Sequence, residues 1–132
     1  MRFWHLLPAI VWTIVIFFII AIPGSSIPES PLFLIPHFDK IIHAAIYLLL
    51  GLLLTYGFAK QRDKKFFNRN KYTLAIVFCV LYGILTELIQ HFYISGRSGE
   101  LADVIANISG SLAGVLLYYL MKKDHRFKKI LT

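Results

Sequence analysis

Four apolar stretches, each about 20 residues long, divide this chain of 132 residues. A helix of about 20 residues crosses the roughly 30 Å hydrocarbon core of a bilayer. The stretches predict spanning helices at about 3–22, 40–59, 72–92 and 101–121. Because they take up most of the chain, residues 1–132 are predicted to form a single all-α domain, a bundle of four transmembrane helices.

The composition excludes an ordinary soluble domain. Hydrophobic residues make up 58% of the chain and charged residues 16%, against roughly 45–50% and about 25% in an average soluble protein. A soluble chain of this size buries too little surface to hide so much apolar material. The single cysteine, Cys79, excludes an intramolecular disulfide framework and a cysteine zinc cluster.

The first stretch has some features of a signal peptide, because Arg2 precedes it and small residues follow it. Its apolar run of nearly 20 residues is longer than the roughly 7–15 residues of a signal-peptide core. A retained helix is therefore predicted, with cleavage as the alternative. Pro8 lies in its first turns, where a proline is tolerated because those N–H groups lack partners within the helix.

The basic residues are distributed unevenly, and lysine and arginine are retained on the cytoplasmic side of a membrane. Arg2, the loop 60–71 and the tail after residue 121 hold twelve basic and two acidic residues. The other side holds two basic and five acidic residues. Both termini are therefore predicted to be cytoplasmic, in a multi-pass protein of a bacterial-type plasma membrane.

The basic loop does not require a nucleic-acid partner. Topology and attraction to anionic lipids explain its charge, whereas nucleic-acid binding needs base-stacking or groove-reading elements. Phe66, Phe67 and Tyr72 beside it fit the headgroup region. Membrane lipids are the expected partners, nucleic acid is not, and the oligomeric state stays open.

Polar residues inside the stretches are informative, because a charge at membrane depth costs roughly 2.5–3.5 kcal/mol on insertion scales. Asp39, His43 and Tyr47 are spaced by four and share one helix face. Glu87 lies about 22 Å along the third helix, at about 1.5 Å per residue, and Gln90 follows on the same face. Both helices thus carry polar groups into the outer leaflet.

The fourth stretch begins with Asp103 and Asn107, one turn apart, and Arg97 lies in the connection before it. Three helices deliver polar groups to one depth, which predicts an outer-leaflet pocket with ligand-binding residues Asp39, His43, Tyr47, Glu87, Gln90, Arg97, Asp103 and Asn107. Small residues on the fourth helix allow another helix to approach closely, and the predicted packing positions are Ala106, Gly110 and Gly114.

These residues resemble the motif of the VanZ-like family. Its start is similar to Asp39-Lys40-x-x-His43-x-x-x-Tyr47, and its second half to Glu87-x-x-Gln90, Gly96-Arg97 and Asp103-x-x-x-Asn107-x-x-Gly110. The similarity extends over about 39–120 and includes the Ile22-Pro23-Gly24 end of the first stretch. One departure is Ile94-Ser95, where family members often have a proline before Gly-Arg.

The resemblance implies a cell-envelope membrane protein, because the family is named for a protein associated with low-level resistance to the glycopeptide antibiotic teicoplanin. An effect on susceptibility to teicoplanin-type antibiotics is thus expected. The resemblance indicates which residues matter and assigns no reaction to them.

Three functional interpretations stay open at this stage. In the first, the pocket binds an envelope lipid or a glycopeptide-related target, with Arg97 paired to phosphate. In the second, the protein is a small membrane enzyme acting on a lipid-linked headgroup, with Glu87 and His43 as acid–base residues and Asp103 as a further candidate. In the third, the polar groups only hold the helices together.

No cofactor and no metal ion are predicted. Glu87 and His91 have the i, i+4 spacing of two ligands on one helix face, and His43 and Asp103 would complete a ligand set. Such a pair is common by chance, however, and His91 lies at the wet end of its span.

Overall fold

The computed structural model describes residues 3–26, 35–97 and 99–124, and over these ranges the protein is helical without a strand. A 3₁₀ turn at Phe3–His5 precedes the first α-helix, and a second 3₁₀ turn at Gly24–Ser26 follows it. The α-helices are α1 (Leu7–Ile20), α2 (Phe38–Ala59), α3 (Lys65–Arg69), α4 (Lys71–Tyr93) and α5 (Leu101–Lys123).

Within the described ranges, three helices are long and apolar enough to cross a membrane. They are α2, α4 and α5, with 22, 23 and 23 residues, and each begins and ends within two residues of a predicted span. The end of α5 follows from the sequence, since its last turn holds Lys122 and Lys123, whose positive charges interact favourably with the carbonyl end of a helix.

The first apolar stretch forms a shorter α-helix than predicted. α1 has 14 residues, whereas a spanning helix needs about 20. Pro8 is in its first turn, so regular helix begins there and the residues before it form the 3₁₀ turn. At the other end Pro23 and Gly24 break the helix.

The N-terminal segment, defined here as residues 3–26, nevertheless runs the length of the bundle. At one end the His5 ring packs edge-on against Tyr56, near the end of α2, with ring centres 6.3 Å apart. At the other end the Gly24 N–H donates to the Ser95 carbonyl at 3.0 Å, in the connection after α4. In between, the Trp12 indole N–H donates to the Ile46 carbonyl at 3.0 Å.

α2 and α5 form the most extensive helix pair of the bundle. A Cβ atom on Gly110 would overlap the Ala44 carbonyl oxygen, and one on Gly114 would overlap the Leu48 carbonyl oxygen. On the facing helix, a Cβ on Gly51 would lie 2.7 Å from a backbone carbonyl oxygen of α5. The two backbones therefore touch along this seam, which fixes how the polar ends of α2 and α5 face each other.

Candidate functional site

One polar side chain from each spanning helix meets in a hydrogen-bonded group, the polar triad: His43 of α2, Glu87 of α4 and Asn107 of α5. The Asn107 amide donates to Glu87 Oε1 at 3.2 Å. Its amide oxygen lies 3.1 Å from His43 Nδ1, and His43 Nδ1 lies 3.4 Å from Glu87 Oε1. Glu87 and Asn107 are buried and His43 is half-buried, so the triad links three helices away from bulk water.

A second group surrounds the ammonium of Lys40 and is called the Lys40 cluster. The Lys40 Nζ atom lies 2.6 Å from Asp39 Oδ2, 2.7 Å from Glu100 Oε2 and 2.8 Å from Asp103 Oδ1. The Asp39 and Glu100 side chains are about half exposed, whereas the Asp103 side chain is 8% exposed. Lys40 is therefore the cation that compensates a buried carboxylate on α5.

Arg97 lies after the C-terminal end of α4 and is held there by Gln90. With the Gln90 amide oxygen facing the guanidinium, it accepts from Arg97 Nη2 at 2.9 Å and from Nε at 3.2 Å. The backbone before it turns at Gly96, whose φ of +72° favours glycine. Gly24 packs directly against the Gly96 carbonyl, so the N-terminal segment supports the turn that presents Arg97.

Tyr47 lies one turn deeper than His43 and is buried. Its hydroxyl is 2.9 Å from Thr86 Oγ1, and the Thr86 hydroxyl also lies 2.9 Å from the Gly83 carbonyl oxygen, to which it donates. Thr86 was not predicted as a site residue. A buried threonine inside an apolar helix has no sequence signal of its own, because its hydroxyl can bond within the helix.

A cavity of about 250 Å³ lies beside these groups, bounded by the N-terminal segment, α2 and α4. Its walls are mainly isoleucine side chains, and its polar lining comes mostly from residues that the sequence predicted. The isoleucines are Ile16, Ile19, Ile20, Ile22, Ile42 and Ile46, and the other lining residues are Ser26, Asp39, His43, Tyr47, Thr86, Gln90 and Arg97.

The predicted pocket residues thus fall into two sets. Five of the eight line the cavity, and the other three, Glu87, Asp103 and Asn107, lie outside its lining. His91 does not join them, because its side chain is exposed and packs edge-on against Phe92 at 4.8 Å between ring centres. His43, from another helix, is the histidine beside Glu87.

Asp39, the first predicted residue, bonds to Lys40, a residue that was placed in the motif but not in the pocket. Lys40 is at the end of its span, where a lysine ordinarily extends to the interface. Only the packing of α2 against α5 brings Asp103 within 2.8 Å of it.

A known protein family matches nearly all of this chain. The profile of the family described as VanZ/LLP1 matches residues 3–122. An uncharacterized protein of Schizosaccharomyces pombe is 30% identical over 116 residues, which is 87% of this chain and 67% of the relative. No solved structure matches the chain. The matched region contains both polar groups, Arg97 and the cavity.

Proposed function

The protein belongs to the VanZ-like family, and from that premise we propose that it is a four-span protein of the cell envelope that binds a lipid with an anionic headgroup. The headgroup lies at Arg97, at the outer end of the cavity, and the acyl chain lies along the isoleucine wall. The observation that carries this proposal is the cavity itself, which joins an apolar wall to a guanidinium.

The N-terminal segment supports the fourth span. Although α1 has only 14 residues, the segment contacts Tyr56 near one end of the bundle and Ser95 at the other. The uneven charge supports a cytoplasmic position for loop 60–71 and both termini. We place the protein in a bacterial-type plasma membrane, with Arg97 on the outer side.

Cysteine labelling in intact cells tests this topology. In a Cys79→Ser background, an impermeant maleimide is expected to label Ser95→Cys from outside. Trp4→Cys and Lys65→Cys, all three sites being exposed, are expected to react only after permeabilisation. Labelling of Trp4→Cys from outside would show that the N-terminal segment does not span, and labelling of Lys65→Cys from outside would invert the whole orientation.

Charge and shape both favour an anionic lipid as the occupant. A guanidinium offers a planar set of donors that matches phosphate oxygens, and Gln90 already fixes its orientation. The isoleucine wall offers an acyl chain the apolar contact that water cannot provide.

A lipid also fits the family better than a glycopeptide does. The relative in Schizosaccharomyces pombe indicates that this architecture is not restricted to bacteria, and a lipid headgroup is present in every membrane. Binding of a lipid-linked wall component would be the route by which such a protein changes susceptibility to teicoplanin-type antibiotics.

Photocrosslinking in vesicles tests lipid binding. The probes are two photoactivatable lipids with the same acyl chains, one with a phosphate monoester headgroup and one with a phosphocholine headgroup. Arg97→Gln is expected to lower crosslinking of the anionic probe about tenfold or more, since a hydrogen bond to a charged group contributes about 1.5–3 kcal/mol. Arg97→Lys, which keeps the charge but loses the planar donors, is expected to have a smaller effect.

Lys65→Gln is the matched control, because it removes an exposed positive charge at α3, away from the cavity. It is expected to leave crosslinking unchanged. Equal crosslinking of the two probes, or equal losses in Arg97→Gln and Lys65→Gln, would contradict the proposal.

A second function is favoured by one distance. His43 Nδ1 lies 3.4 Å from Glu87 Oε1, and Asn107 contacts both side chains. This is the arrangement of an acid–base pair held by a third group, and a small membrane enzyme acting on a lipid-linked headgroup would use it. Headgroup turnover by the purified protein in vesicles, lost in both Glu87→Gln and His43→Ala while crosslinking persists, would establish the enzyme.

A further inference from the structure

Three side chains of metal-ligand type converge from three different helices. His43 of α2, Glu87 of α4 and Asp103 of α5 each offer one ligand atom, and these atoms lie within 4.8 Å of one another. Glu87 and Asp103 are buried and His43 is half-buried. Of the four ligands that the sequence suggested, this set leaves out His91, which is exposed, and keeps the other three, each from a separate helix.

The charges at this end of the bundle do not balance. Among the residues that the structure describes here, four carboxylates face two cations, and one of those cations, Arg97, is bonded to Gln90. Buried charges need compensation within the protein, and that need falls on Glu87 and Asp103, which are buried, whereas Asp39 and Glu100 are about half exposed to solvent. The carboxylates are Asp39, Glu87, Glu100 and Asp103, and the cations are Lys40 and Arg97.

Asp103 gives a second and independent indication. Its Oδ1 atom is buried, and the contact that the structure gives it is with the Lys40 ammonium, 2.8 Å away, which Asp39 and Glu100 share. A carboxylate oxygen usually accepts more than one bond. One oxygen of the Asp103 carboxylate lies in the group formed with His43 and Glu87, and this carboxylate can accept more bonds than its one contact with Lys40 uses.

The distances suit an ion after a small movement of side chains. At bonds of about 2.0–2.2 Å, two ligand atoms of a tetrahedral zinc ion lie about 3.3–3.6 Å apart. His43 Nδ1 and Glu87 Oε1 are already 3.4 Å apart, and a pair at the 4.8 Å limit of the group must close by about 1.2–1.5 Å. The Asn107 amide oxygen, 3.1 Å from His43 Nδ1, is a neutral donor beside the same point.

We propose that His43, Glu87 and Asp103 bind one divalent transition-metal ion. One imidazole nitrogen and two carboxylates form the mixed donor set that suits Zn²⁺ or Mn²⁺ and not Mg²⁺, which prefers oxygen ligands alone. Three protein ligands leave a coordination position open. His43 also lines the cavity, so the open position takes an oxygen of the anionic headgroup; only this last step rests on the proposed function.

A bound ion would also remove the electrostatic repulsion between the buried carboxylates and an anionic ligand. Glu87 and Asp103 repel a phosphate group that approaches His43, and a divalent cation between them reverses that sign. Lys40 stays nearby, because it has two other carboxylate partners, Asp39 and Glu100.

Direct binding measurements on the full chain in lipid nanodiscs test the ion site. After EDTA treatment and its removal, titration with Zn²⁺ and with Mn²⁺ is expected to give one equivalent of at least one of these ions, bound more tightly than Mg²⁺. Asp103→Asn and Glu87→Gln are expected to weaken binding by more than about tenfold, a loss that even outer-shell partners of a metal produce.

His91→Ala is the matched control, since His91 is an exposed histidine one turn from Glu87 on α4. It is expected to bind the ion as the wild type does. Substitution with Co²⁺ gives a readout that does not depend on any variant, because a bound imidazole and carboxylates produce a visible absorption band. Absence of binding, Mg²⁺ binding of equal strength, or loss of binding in His91→Ala would overturn the site.

The experiments can refute the ion site and the lipid site independently of each other. Ion binding that persists while crosslinking ignores both EDTA and Arg97→Gln would leave the ion site standing and refute the lipid function. Crosslinking that needs Arg97 in a protein that binds no ion would refute the ion site and leave the lipid function in place.

Discussion

Gly110→Leu is expected to lower the yield of correctly folded protein in the membrane to a small fraction of the wild-type yield. A Cβ atom at residue 110 would overlap the Ala44 carbonyl oxygen, and a backbone atom cannot move aside as a side chain can. Overpacking ordinarily costs about 1–3 kcal/mol, and the cost here is expected at or above the upper end of that range. Separation of α2 from α5 would also pull Asp103 away from Lys40.

The measurement is the yield of monodisperse protein and its thermal midpoint in detergent. Ala113→Leu is the matched control, because Ala113 is an exposed residue of the same helix and the variant carries the same leucine side chain. It is expected to keep the wild-type yield and midpoint. A wild-type midpoint in Gly110→Leu would show that the two helices do not touch as closely as the structure places them.

The sequence predicted the long helices well, for a clear physical reason. Each is an apolar run whose length matches the hydrocarbon core, and the polar or charged residues beside the runs fix α2, α4 and α5 to within two residues. The bounds of the first helix were harder to predict, because Pro8 interrupts its apolar run and Pro23 follows the run. Hydropathy does not distinguish α-helix from 3₁₀ turn, so only the structure gives the bounds Leu7–Ile20.

Part of the candidate site also followed from periodicity. Asp103 and Asn107 share a face of α5 because they are four residues apart, and their depth places them opposite Glu87. Periodicity does not give the rotation of α4 about its own axis. In the structure Glu87 and Gln90 face the bundle and His91 faces outward, which decides between two histidines that the spacing left open.

The cavity and the role of Lys40 could not be predicted from the sequence. The cavity exists because the N-terminal segment packs against α2 and α4 at a distance set by side chains from all three elements. Lys40 has the sequence position of an interfacial anchor. Its role depends on Asp103 and Glu100, which are about 60 residues away in the chain.

Lys40→Met is expected to lower the free energy of unfolding by about 3–5 kcal/mol, the cost of removing one partner of a buried ion pair. The loss is assigned to Asp103, since its side chain is 8% exposed and would keep an uncompensated charge. Asp39 and Glu100 contribute little, because exposed ion pairs contribute about 0–1 kcal/mol. The measurement is denaturant or thermal unfolding in detergent, in the presence of EDTA so that no bound ion replaces the lysine.

A second substitution identifies which carboxylate carries the loss. Because asparagine removes the buried charge, Lys40→Met combined with Asp103→Asn is expected to recover most of the stability, whereas Lys40→Met combined with Glu100→Gln is expected to recover little. Lys65→Met, at an exposed lysine of α3, is the control and is expected to leave stability unchanged. Equal recovery in the two double variants would mean that Lys40 balances the outer carboxylates as a group, and the buried pair with Asp103 would then have no special role in joining α2 to α5.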